Sequence, residues 1–100
     1  MKTYQSNLLK IKSQRNHSKL RVSQRYGVLY NRYMKRDLVK MIQEGSDFAV
    51  FLNKRSNRIS IFALYYNDIW FAVMYDRDTK EIATFLPRSY LYLYRKRIEC

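Results

Sequence analysis

The hydrophobic period of this chain changes at Gly45, and that change limits the fold more than any other feature. Before it, Met34, Leu38, Met41 and Ile42 fall at i, i+4, i+7 and i+8, the stripe of one buried helical face. After it come short runs rich in apolar residues: Phe48–Leu52, Ile59–Tyr66, Ile69–Tyr75 and Glu81–Leu86. Polar turns of two to five residues separate them: Asn53–Asn57, Asn67–Asp68 and Asp76–Lys80. Connections this short join neighbours in an antiparallel meander. The third run is apolar at nearly every position, which predicts a central strand covered on much of both faces. Pro87 closes the fourth.

Upstream, Asn16 or Ser18 is expected to cap a first helix that ends at Tyr26, with Gly27 as its left-handed stop. The second helix is expected from about Asn31 to Gly45. Residues 1–15 read as a basic N-terminal arm, open to a flexible, strand or helical conformation, and residues 16–100 as a single α+β domain. Its two helices pack on a four-stranded antiparallel β-meander. Ser89–Tyr94 alternates strictly, three tyrosines against two leucines, and is a candidate fifth C-terminal strand or dimer contact.

Charge is divided unevenly along this frame. Residues 1–40 carry eleven Lys and Arg against one acid, whereas residues 41–87 carry five against six. Residues 88–100 add four bases and one acid, for a net charge of +12. Two cationic segments flanking a near-neutral apolar middle predict a polyanion-binding surface, with nucleic acid the leading partner, an acidic protein second and a membrane surface a distant third. The expected phosphate contacts are Arg15, Lys19, Arg32, Lys35, Arg36 and Arg88. Ten tyrosines accompany the cations, and Tyr75, Tyr90, Tyr92 and Tyr94 are the expected stacking surface. Tyrosine also packs well on sheets, so half or more of the ten are expected in the core or at its rim.

His17, Arg21 and Arg25 lie at i, i+4 and i+8, within about 80° of one another on a helix. One imidazole and two guanidiniums suit a phosphodiester: Arg grips phosphate oxygens and His exchanges a proton near neutral pH. Thr84 or a sheet tyrosine would complete a metal-independent site. A solvated basic face is the plainer reading of the same stripe. One His, one terminal Cys and scattered acids offer no metal site, and glycines only at 27 and 45 offer no phosphate-cradling loop, so no cofactor is expected. Without an apolar leader or span, the expectation is a soluble, cytoplasmic protein.

The segments HSKLRVSQRYG (17–27) and FAVMYDRDTKEIATFLP (71–87) resemble small phage and bacterial proteins related to the barnase–EndoU–colicin–RelE group of toxin-type ribonucleases, over residues 16–87. The resemblance implies one or two helices before a four-stranded antiparallel sheet, with His17, Arg21, Arg25 and Thr84 around one cleft. RelE-type toxins keep working residues in the C-terminal segment, which here offers Arg88, Tyr90, Tyr92 and Tyr94. It implies an RNA-binding domain with endoribonuclease activity as its enzymatic form, and an antitoxin or host factor as protein partner. The readings that compete with it are a non-catalytic regulator gripping an acidic host protein or nucleic-acid machinery, and a DNA-binding module that uses the second helix.

Overall fold

The computed structural model describes residues 2–99, with side chains from 9 to 98. Two helices, α1 (Lys2–Tyr26) and α2 (Arg32–Gln43), precede strands β1 (Ala49–Lys54), β2 (Ile59–Tyr66), β3 (Ile69–Asp76) and β4 (Glu81–Phe85). Two short helices follow, α3 (Ser89–Leu93) and α4 (Arg95–Glu99). The sheet is antiparallel in the order β1-β2-β3-β4, the predicted meander, with β3 inside it.

Local chemistry sets the boundaries. Gly27 and Gly45 both take φ +66°, the left-handed conformation that ends each helix. At the second stop, Ser46 N–H donates to Met41 O and Gly45 N–H to Ile42 O, a Schellman pair. Asn31 opens α2 by accepting the Met34 N–H on its Oδ1 at 2.9 Å. Asn67 and Asp68 adopt φ 51° and 64°, as a two-residue hairpin between twisted strands requires.

Helix α1 departs from its expected start, for Asn16 and Ser18 lie in mid-helix rather than at a cap. Residues 2–15 contain neither Gly nor Pro and are mostly long unbranched side chains, so nothing interrupts the helix there. Ser18 is fully buried, its hydroxyl donating to Ile82 O at 2.6 Å, and a small residue here lets α1 approach β4 closely. Arg25 donates to Phe85 O at 2.7 Å. Tyr26 accepts the Ala72 N–H and donates to Leu86 O, splicing itself between β3 and the chain leaving β4. Main-chain carbonyls of edge strand β4 are thus occupied by α1 side chains, which protects that edge.

The sheet is covered on both faces. On one, Val22, Tyr26, Tyr30, Met34 and Leu38 pack on Leu64, Phe71, Val73, Ile82 and Phe85. On the other, Leu52, Ile61, Ala63, Ala72 and Leu86 meet Tyr90, Leu91, Tyr94 and Ile98 from the tail. The tail is therefore helical, not a fifth strand. With β4 covered by α1, a helix is what turns Tyr90, Leu91, Tyr94 and Ile98 (i, i+1, i+4, i+8) onto one face and closes the second core.

Candidate nucleic-acid interface

After the turn at Gly27 the chain leaves a groove of about 630 Å3 between α1 and the first turns of α2. Arg15, Asn16, Lys19, Tyr30, Asn31, Arg32, Tyr33, Lys35 and Arg36 line it. The Asn31 cap fixes where α2 starts. With Met34 and Leu38 buried, Arg32, Lys35 and Arg36 share the side that borders the groove. Arg15 and Lys19, one helical turn apart, face them from α1. The aligned N–H groups at the start of α2 add partial positive charge.

Glu81 is the carboxylate beside these cations. It is nearly buried and accepts Arg15 through two nitrogens at 3.2 and 3.3 Å, and Lys35 Nζ at 2.9 Å. One acid from β4 thereby ties α1 to α2 and neutralises part of the charge. Among the described residues, Lys19 and Arg32 have no carboxylate partner, and Arg36 has only a 3.8 Å approach to half-buried Asp37. Tyr30 packs edge-on against Phe85 at 5.2 Å, and its hydroxyl titrates well above the ordinary range because it is buried and near Glu81, with Arg15 opposing. Tyr33 differs: 53% of it is exposed, and the Arg32 and Arg36 guanidiniums lie 5.1 and 5.5 Å from its ring centre.

Five of the residues expected to contact phosphate, Arg15, Lys19, Arg32, Lys35 and Arg36, thus meet in this one groove. The others do not. Arg88 lies 5.1 Å from the Tyr26 ring and donates to Arg25 O, holding the end of α1. Tyr75 is buried, accepting from Gln43 at 3.0 Å. Tyr90 and Tyr94 belong to the second core, and exposed Tyr92 lines a smaller apolar cleft with Trp70, Leu91, Arg95 and Ile98. The residues missed by sequence reasoning are Tyr30 and Tyr33, with Asn16 and Asn31. The available signal was a tyrosine beside Arg32 and one helical turn before Arg36.

The expected catalytic set stands outside the groove. His17 and Lys19 are about 200° apart around α1, so His17 occupies the opposite flank. Arg21 donates to Gln24. Arg25 and Thr84 do meet, at Phe85 O (2.7 and 3.5 Å), but Arg25 is spent on that structural carbonyl. Thr84 pairs in register with Met74, whose side chain packs in the second core. Among the described residues no cluster of three His, Cys, Asp or Glu is placed to hold a metal, and no helix is long and apolar enough to cross a membrane.

No family model, curated protein or solved structure matches this chain.

Proposed function

We propose that this protein binds RNA through the α1–α2 groove, and that it acts by holding the strand rather than cutting it. The observation that carries the reading is the convergence of five cations and two tyrosines on a concave surface bordered by a single buried carboxylate. Lys19, Arg32 and Arg36 are the side chains left to grip phosphates, while Arg15 and Lys35 shape the wall through Glu81. The resemblance of segments 17–27 and 71–87 to toxin-type ribonucleases is the reason for naming RNA as the polyanion. The position of His17, Arg21, Arg25 and Thr84 outside the groove, with Arg25 held by Phe85 O, favours binding over cleavage.

Fluorescence anisotropy with a short labelled RNA, repeated across a salt series, tests this. Three phosphate contacts on a single strand give a log–log slope of roughly −2. The RNA should remain intact on a gel after long incubation. A flat salt response, or no binding at low salt, defeats the proposal; retention of an acidic protein instead of RNA moves the groove to a protein partner.

A further inference from the structure

Resting on the RNA-binding reading, we infer that the groove takes unpaired nucleotides, with one base stacked on Tyr33 at its lip. The residue is exposed in the groove wall, unlike Tyr30, which is only 8% exposed and held against Phe85. Among the described residues the other largely exposed aromatics are Phe48, Phe51 and Tyr92, and none of them lines this groove. Tyr33 alone there combines a half-exposed aromatic side chain with adjacent phosphate-binding groups.

Its surroundings fit that task. Arg32 and Arg36 approach the ring from one position before it and three after it, both within cation–π range, and Arg32 Nη2 also donates to its hydroxyl at 3.2 Å. The ring is thus held by residues of its own helix and loses little freedom when a base settles on it. A base laid on the ring or on a guanidinium plane leaves its own phosphate near Arg32 or Arg36 on the same helix and facing Lys19 across the groove. A paired base cannot do this: its faces are covered by its neighbours in the duplex, and its edge rather than its face points outward. Stacking also carries little sequence preference, because every base has a π-face. The inferred ligand is therefore a flexible single strand, RNA or DNA, with weak base preference.

The test compares four probes on the full chain at one salt concentration: an unstructured RNA, the same sequence as a duplex, the matching single-stranded DNA, and polyphosphate. The unpaired strands should bind at least about tenfold tighter than the duplex or polyphosphate. Tyr33→Ala should shrink that advantage by roughly five- to a hundred-fold, the range of one base–aromatic stack, while Tyr33→Phe preserves it. In Tyr33→Trp, the added strand should quench emission beyond the wild-type signal of Trp70, which lies across the sheet. RNA binding with no preference for unpaired strands, or a preference untouched by Tyr33→Ala, overturns the stacking inference and leaves the groove reading standing. Absence of binding by any nucleic acid overturns both. RNA bound tightly with DNA rejected would replace face-stacking with recognition of the 2′-hydroxyl.

Discussion

The two flanks of α1 carry similar side chains and do different things. On one, Arg15 and Lys19 face α2 across a groove, with Lys19, Arg32 and Arg36 turned toward solvent that a ligand could replace. On the other, Arg25 is committed to Phe85 O, while exposed His17 and half-buried Arg21 line neither described cleft. Two buried carboxylates, cross-strand partners on β3 and β4, hold different groups. Glu81 on the groove side is balanced by the two cations Arg15 and Lys35. Asp76, its neighbour on β3, accepts Gln14 Nε2 at 2.9 Å and the Asp78 and Thr79 N–H groups, with Arg58 at 3.4 Å and Lys10 at 4.0 Å. A count of positive residues treats the flanks as equal. The groove, and which cations the fold has already engaged, separate them, since a cation held by the fold has little left to offer a phosphate.

Charge reversal on each flank gives the largest expected contrast. Arg32→Glu with Arg36→Glu removes two phosphate contacts and places two like charges in the groove, so affinity for single-stranded RNA should fall by about a hundredfold or more at low salt. The salt slope should also flatten by roughly 1.4, two contacts on a single strand. His17→Ala with Arg21→Glu, changing charge on the flank away from the groove, should alter affinity by no more than about threefold, through the long-range field alone. All four side chains are at least partly exposed, so circular dichroism should confirm folding in both variants. Equal losses from the two pairs would erase the distinction between the flanks.

Much of the frame was legible in the sequence because it depends on local rules. The period change at Gly45, the left-handed glycines and the Asn67–Asp68 turn gave both helices and all four strands. The site was legible only as a set of cations, not as a place. Which flank of α1 opens to the groove depends on which face is buried, and Ser18 conceals that face: a hydroxyl at the centre of a buried stripe looks polar until Ile82 O is found beside it. The tail misled for a related reason. Tyr90 and Tyr94 share a face under a period of two and under a helical spacing equally well, and only the uncovered second face of the sheet, together with Leu91 and Ile98, decides between them. The length of α1 was obscured because its first half lacks a clear apolar stripe to mark it.

The groove-side carboxylate sharpens the contrast through a smaller effect. Glu81→Gln keeps the shape but removes the negative charge shared by Arg15 and Lys35, so both become available to phosphate. RNA affinity should rise by about three- to tenfold at low salt, and the salt slope should steepen by about 0.7 for each cation released. Stability should move the other way, because cations held against a nearly buried acid lose their partner; the urea midpoint should drop. Tighter binding from a less stable protein is an unusual combination, and a purely structural Glu81 would not produce it. Loss of affinity in step with loss of stability would mean that the ion pairs build the groove rather than limit it.

Asp76 supplies the smallest effect and a control, because it lines no part of the groove and should influence acid stability and not RNA. Its side chain is fully buried, and burial by itself would push its pKa up. The amide of Gln14, the Asp78 and Thr79 N–H groups and the Arg58 guanidinium outweigh that penalty and hold the carboxyl below its ordinary value of 3.8. The folded state therefore favours the ionised form more than the unfolded chain does. The resulting stabilisation is complete well above pH 3.8 and disappears as pH falls below it through the depressed folded pKa. Asp76→Asn lacks this titration. Urea midpoints measured from neutral pH downward should show a constant gap between wild type and variant, which then narrows below pH 3.8, while RNA affinity at neutral pH stays within about twofold. A gap that persists unchanged into strong acid would mean that the Asp76 contacts hold by shape rather than by charge, and the difference assigned to the two acids would reduce to Glu81 alone.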